Sequence, residues 1–425
     1  MTPASNRARL NVLQLISFML RKTILISGAG IAGPTLAYWL LRRGFTPVLI
    51  ERAPQFREGG YIIDFWGVGF DVAERMGLIS ALRSAGYVID RLELVAADGR
   101  QRSAMGANAF QRTLGDRFLS IRRGDLAHAI YSLIDQDVET IFGDSIRTMQ
   151  QDGEGVDVTF EHRPARTFDL VIGADGLHSQ VRAALFDRQE AFQRYLGYYT
   201  ASFSTSHYPK RDEHAYLTFA APGRQISRYA LRDDRTAFFI VFESKTMLPD
   251  LTHDLTRDQT RDIAAQKQIL RQKFSPEPSR EQWIEWPEIE KRLDLCEDLY
   301  FDSVSQIALP AWSQGRIALV GDAAYCPSLL AGEGSAFAMA GAYILAGELD
   351  KAAGDHTRAF AAYQSRFRPF IERKQKSARA FASSFAPKTS FGLFIRDLVL
   401  RMSSAPFVAD FLMSRFTDDR LTLPD

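Results

Sequence analysis

Cysteine is nearly missing from this chain: its 425 residues include two, Cys296 and Cys326. No disulfide framework can be built from two thiols, and a reducing, cytoplasmic setting is expected. An excess of one charge is missing too. The 52 Lys and Arg residues offset 51 Asp and Glu, a formal net charge of +1, which removes any global reason to bind nucleic acid or an anionic membrane. Seven histidines occur, none in an HExxH or other metal-ligating spacing, so no metal site is expected. The apolar run LNVLQLISFML, Leu10 to Leu20, falls well short of the roughly 20 residues of a membrane span. Arg7 and Arg9 precede it, but no small-residue cleavage site follows, so a signal peptide is not expected. Residues 1–21 read instead as an N-terminal extension, with Met19 as a candidate start. Internal repeats and low-complexity tracts are also absent.

What remains is the composition of a soluble globular protein, 46% hydrophobic and 24% charged. Its length calls for two or three structural units. The 30 phenylalanines hint at aromatic-rich cavities, with core packing as the plainer account.

The first clear unit is TILISGAGIAGPTLAYWLLRRGFTPVLIER. A short apolar strand, Thr23 to Ser27, runs into Gly28-Ala29-Gly30-Ile31-Ala32-Gly33. A helix opens at Pro34, where a missing N–H is harmless, and stops near Gly44. A second strand, PVLIE, ends on Glu51. Gly28 suits a tight turn, Gly30 a close approach of backbone to a pyrophosphate, and Gly33 close helix–strand packing. Glu51 can accept hydrogen bonds from a ribose diol, and the helix start attracts phosphate. Strand, loop, helix, strand and acid in that order predict dinucleotide binding without separating FAD from NAD.

Two further glycine turns leave apolar strands. One is DLVIGADGLHSQVR, Asp169 to Arg182; the other is RIALVGDAAYCPSLLAGEGSAFAMAGAYILAGEL. Between them the pattern changes. RLELVAADGRQRSA has an Asp98-Gly99 hairpin signal, and HAYLTFAAPG, QISRYALRDD and RTAFFIVFES read as antiparallel strands. Tyr216, Phe219, Arg228 and Phe239 lie on those strands, and the pattern does not say which parity faces a substrate. Residues 256–292 read as polar helix. The tail from about 356 reads as helical, with breaks at Pro369 and near Pro387. Its basic run RFRPFIERKQKSARA is expected to be a solvated helix face.

The three turns together resemble the fingerprints of the class A flavin monooxygenases, the para-hydroxybenzoate hydroxylase-like family, over roughly residues 22 to 355. The first matches Gly28 to Gly33 with Glu51-Arg52, the second Gly173-Ala174-Asp175-Gly176 through Arg182, and the third Gly321-Asp322-Ala323-Ala324 through Gly332-Glu333-Gly334. GRIALVGDAAYCPS and GAYILAGEL are similar to segments of the tetracycline-inactivating and polyketide-tailoring branch. The resemblance implies an α/β fold: a Rossmann-like FAD-binding domain, an inserted antiparallel-sheet substrate domain and C-terminal helices. It places the first over residues 22–76, 105–186 and 300–355, the second over 77–104 and 187–299, and the helices over 356–425.

It further implies FAD as cofactor, NADPH or NADH as transient electron donor, and O2 with a small organic molecule as substrates. An aromatic or polyketide-like compound would be hydroxylated through a flavin C4a-hydroperoxide. Glu51 and Arg52 would hold the adenosine ribose end, and Arg123 of RRGDL and Asp175 would contact the cofactor. Asp322 would bond the ribityl chain. Gly332, Gly334 and Ser335 would face the flavin pyrimidine, while Leu329 and Leu330 would line the substrate space. No protein group is assigned as catalytic, because the flavin is the reactive centre. The chain departs from the family at Tyr325, where His is usual, at Ser328-Leu329, and at Glu333 and Ala336. A flavin reductase, dehydrogenase or halogenase on the same fold is the alternative reading, and a non-catalytic flavin binder a third. WIEWP, Trp283 to Pro287, has the wrong spacing for a halogenase signature and reads as core or surface aromatics.

Overall fold

The computed structural model describes residues 22–56, 60–106, 115–186, 191–244, 262–275, 282–402 and 421–424. The N-terminal extension and its apolar run lie outside the described residues.

Ile24, Leu25 and Ile26, and likewise Leu170, Val171 and Ile172, are fully buried. Unbroken apolar runs of this kind belong to strands covered on both faces, the environment of a parallel sheet. They form the centre of a six-stranded sheet. Its order is Ser313–Gln314, Ile317–Leu319, Leu170–Gly173, Thr23–Ser27, Thr46–Glu51 and Glu139–Phe142. All neighbours are parallel except the two-residue edge strand Ser313–Gln314. Helix Ala32–Arg42 packs on this sheet together with helix Gly334–Lys351. Ala340, Ala342 and Ala346 of the latter are fully buried, and these small side chains let it pass through the middle of the core.

A second sheet has seven strands, in the order Tyr300–Ile307, Gln193–Ser206, Arg235–Glu243, Arg224–Ala230, Ala215–Ala221, Arg91–Val95 and Gln101–Gly106. The hairpin expected at Asp98-Gly99 joins the last two, with Gly99 at φ +84°. The structure settles the parity that the sequence left open. Phe219, Ile226, Phe238, Ile240 and Phe242 pack under helices Ile263–Phe274 and Trp286–Leu295. Phe219 stacks on Trp283 and Phe274 on Trp286, at 5.9 and 5.2 Å between ring centroids, so WIEWP is core. Arg228 lies on this same far face, in a buried ion pair with Glu285 at 2.8 Å. Tyr216, Tyr229, Phe239 and Val241 line the opposite face, which looks toward the six-stranded sheet.

Three expectations need correction. The polar helix over 256–292 is two helices, Ile263–Phe274 and Trp286–Leu295, and residues 256–261 and 276–281 lie outside the described residues. Pro369 does not end a helix: His356–Phe385 runs through it. A proline there forfeits one backbone hydrogen bond, which burial of Phe367, Phe370 and Ile371 on the same helix offsets. The basic run is not wholly solvated either, for Lys374 and Gln375 are 9% and 6% exposed.

Candidate functional site

Three adjacent parallel strands end in the three glycine turns. Gly173 is in register with Leu319 on one side and Ser27 on the other, so the turns leave one edge of the sheet together. Ala174 N–H donates to Ser27 O at 2.8 Å, and Val320 N–H to Gly173 O at 2.9 Å. The region beyond the carboxyl ends of such strands is where open α/β sheets bind ligands.

The glycines of the first turn differ in what surrounds them. Gly28 has φ +108°, and a Cβ there would lie 2.6 Å from Ala174 O; one on Gly33 would lie 1.9 Å from Gly28 O. Both are required by packing. A Cβ on Gly30 would meet nothing nearer than Arg123 Nη2, at 3.7 Å. Gly30 therefore presents bare backbone to open space with a guanidinium across it. Glu51 closes the end of its strand, its carboxylate accepting the N–H groups of Ala29 at 2.9 Å and Ala53 at 2.8 Å. A carboxylate offers about four lone-pair positions, so capacity for a diol remains. Arg52, next to it, is exposed.

The Asp-Gly turn is organised internally. Asp175 accepts the Ser179 hydroxyl at 2.5 Å and the N–H groups of Gln180 and Val181 at 2.8 and 3.2 Å. Ser179 in turn caps helix Gln180–Leu185. Burial pushes the Asp175 carboxyl up, against the pull of those hydrogen bonds. Arg182 is 2% exposed and donates to Leu177 O and Ala323 O, tying the second turn to the third. His178 reaches strand Tyr300–Ile307, with Nε2 3.0 Å from Asp302.

Around the third turn, charges converge. Burial raises the Asp322 carboxyl, opposed by Arg123 and by a hydrogen bond with Cys326. Burial pushes Tyr61 up to about 12, and Tyr300 also rises; both feel Arg123 and Asp322. Gly334 opens helix Gly334–Lys351 with Ser335 behind it, and a Cβ on Gly334 would lie 3.7 Å from Asp322 Oδ1. Gly332 is left-handed, at φ +72°. Open backbone at Gly30 and Gly332, a ribose-competent acid, an arginine and a free helix start together fit a dinucleotide carrying a ring system at its far end.

The family departures each have a local partner. The Tyr325 hydroxyl fills the space beside Gly341, where a Cβ would come within 1.8 Å of it; its ring packs on Trp312 and Phe367. It faces the core, not the open site. Ala336 packs against Gly69, where a Cβ would come within 2.6 Å of its Cα. Glu333 pairs with Lys374 at 3.1 Å. Ser328 has φ +107° and ψ 139°, a strained position for a residue with a Cβ.

Facing the turns is the inner side of the seven-stranded sheet. Leu329 and Leu330 pack against Tyr198, Phe239, Val241 and Val304, and Tyr61 approaches both Phe239 and Tyr300 at 5.7 Å between ring centroids. Tyr216 and Tyr229 stack at 5.4 Å, and the Tyr229 hydroxyl accepts Ile62 N–H at 2.7 Å. The Thr218 and Ser227 hydroxyls lie 2.9 Å apart. Sequence reasoning missed Tyr61, Asp64, Ser120 and Tyr300. Asp64 accepts the Ser120 hydroxyl at 2.6 Å. The signal available was the alternation in YIIDFW, which sets a lone acid in an apolar strand. Among the described residues no cluster of His, Cys, Asp and Glu could hold a metal, and no helix is long and apolar enough to cross a membrane.

A dinucleotide edge with three turns, faced by an aromatic and hydroxyl-bearing sheet, defines a flavoprotein that brings a small molecule to its cofactor. The comparisons narrow this. Residues 21–376 match the family described as FAD binding domain, and the chain belongs to it, as a class A flavin-dependent monooxygenase. A flavin-dependent monooxygenase of Legionella longbeachae is 36% identical over 366 residues, 86% of this chain and 90% of that one. An uncharacterised protein of Mycobacterium tuberculosis H37Rv is 37% identical over 355 residues, 83% and 92% of the two chains. The crystal structure of tetracycline destructase Tet(51) is 31% identical, covers 96% of this chain and 100% of its own, and superposes with a TM-score of 0.77. HpxO of Klebsiella pneumoniae, solved with FAD and uric acid, shares the fold at 20% identity and a TM-score of 0.74, covering 94% and 97% of the two chains.

Proposed function

We propose that this monooxygenase takes electrons from NADPH or NADH and hydroxylates a multi-ring aromatic or polyketide-like molecule, tetracyclines among them. The observation that carries the substrate class is the inner face of the seven-stranded sheet. Tyr61, Phe239 and Tyr300 with Leu329 and Leu330 offer flat apolar area for stacked rings. The Thr218–Ser227 hydroxyl pair and Gln225, which accepts from Arg396 at 3.0 Å, offer polar positions for ring hydroxyl and carbonyl groups. The 31% identity to Tet(51) over nearly the whole chain supports the same reading.

In it, Glu51 and Arg52 bind the adenosine ribose, Gly28, Gly30 and Gly33 bring the first helix to the pyrophosphate, and Arg123 neutralises phosphate charge. Asp175 shapes its turn, and Asp322 orients the ribityl chain. Gly332, Gly334 and Ser335 present N–H groups and a helix dipole to the flavin pyrimidine. Bound FAD supplies the oxygen activation, and the protein's own work is to position, polarise and exclude water. Leu329 and Leu330 close the site against the sheet. The test is a screen for compounds that accelerate NAD(P)H oxidation by the FAD-loaded protein, followed by product mass. Acceleration by tetracycline-type or phenolic compounds with gain of one oxygen supports the proposal. Equal turnover without oxygen would identify a reductase or dehydrogenase, and a bound flavin that NAD(P)H never reduces would identify a binder.

A further inference from the structure

Glu333 stands immediately before helix Gly334–Lys351, the position from which a short polar side chain such as Asp or Ser would bond the free N–H groups of the first turn. Glu333 does not do so. Its side chain makes no capping hydrogen bond and instead meets Lys374 Nζ at 3.1 Å. Lys374 comes from helix His356–Phe385, 41 positions away, and is 9% exposed. Its ammonium lies 5.8, 5.7 and 6.0 Å from the ring centroids of Trp66, Phe370 and Phe337. A largely buried lysine is rare unless paired, and here it pairs with the acid that stands at the start of the helix.

We propose that Lys374 and Glu333 form a compensated charge pair that sets the reduction potential of the FAD through the field at the start of helix Gly334–Lys351. The inference rests on the reading that the flavin pyrimidine lies against Gly332 to Ser335. A helix N-terminus acts as roughly half a positive charge, and reduction adds negative charge to the pyrimidine side of the flavin. A lone Glu333 carboxylate, a full negative charge at the same place, would more than cancel the helix. Lys374 removes that opposition while keeping the pair neutral. Both are positioning residues; neither is a reacting group.

The test is a reductive titration of the FAD-loaded protein against reference dyes, with dithionite and no substrate or NAD(P)H. Lys374→Met removes the positive charge that faces Glu333, so the affinity for reduced relative to oxidised flavin should fall about tenfold, a shift of roughly −30 mV for a two-electron couple. Glu333→Gln should shift the potential positive, and the double variant should return close to wild type. Lys374→Arg, which keeps the charge, should stay near wild type. Unmoved potentials would overturn the proposal. So would singles that shift in the same direction, as a merely loosened loop would give. Because no substrate is present, a failure to find an oxygenated product leaves this result standing. A chain that takes up no FAD overturns the site reading and this inference together.

Discussion

The guanidinium of Arg182 donates to the carbonyl oxygen of Ala323 at 3.0 Å, joining the end of the Asp-Gly turn to the Gly-Asp turn 141 positions later. A second bond, to Leu177 O at 2.6 Å, closes the Asp-Gly turn on itself. Arg182 thus holds the two turns at a fixed spacing. Arg182→Met strands two acceptors, each costing about 1–3 kcal/mol where buried. Thermal unfolding of the apoprotein should show a loss of about 2–6 kcal/mol, and Arg182→Lys should recover only part, lacking the planar fork. An unchanged melting temperature would mean that the clasp does not hold the turns together.

Gly30 and Gly33 should separate binding from folding. A Cβ on Gly33 collides with Gly28 O, so Gly33→Ala should destabilise the apoprotein. Gly30→Ala meets only Arg123 at an ordinary 3.7 Å. It should leave the apoprotein melt unchanged and weaken FAD binding at least about tenfold, a cost of about 1.4 kcal/mol. Isothermal titration of apoprotein with FAD reads this; unchanged affinity would move the pyrophosphate elsewhere.

Asp175 has its folded pKa raised by burial, so the folded state holds this proton more tightly than the unfolded state. Its contribution to stability is complete below the ordinary carboxylate value and fades as pH rises through the folded value. The stability of wild type minus that of Asp175→Asn should therefore decline as pH rises above the ordinary carboxylate range. Urea unfolding from that range upward measures it, and a difference that grows with pH would contradict the assignment.

Ser328 occupies a backbone region that glycine adopts freely, and its buried hydroxyl has no hydrogen-bond partner among the described residues. Relief of about 1–3 kcal/mol of strain, less about 0.5–1 kcal/mol for the added freedom of the unfolded chain, makes Ser328→Gly stabilising. A lower melting temperature for this variant would show that the hydroxyl has a use outweighing the strain.

Much of the cofactor side was legible in the sequence because it depends on backbone: strand, glycine turn and helix start recur with fixed spacing, and Thr23–Ser27 has the bounds expected. The sheet facing it was not, because Phe219 and Phe239 sit in equally apolar strands and parity emerges only from pairing and the covering helices. Lys374 was hidden for a related reason. In RFRPFIERKQKSARA every cation looks solvated, and only the packed helix shows which one turns inward to Glu333. Tyr325, Glu333 and Ala336 stood out as isolated departures, yet each is matched by a residue distant in sequence: Gly341, Lys374 and Gly69.

The most direct test of the account is turnover of the FAD-loaded protein with NADPH and a tetracycline-type or phenolic substrate under isotopically labelled dioxygen. The account predicts substrate-stimulated NADPH oxidation and a product carrying one labelled oxygen atom. A product without label, or the same turnover in the absence of dioxygen, would contradict it.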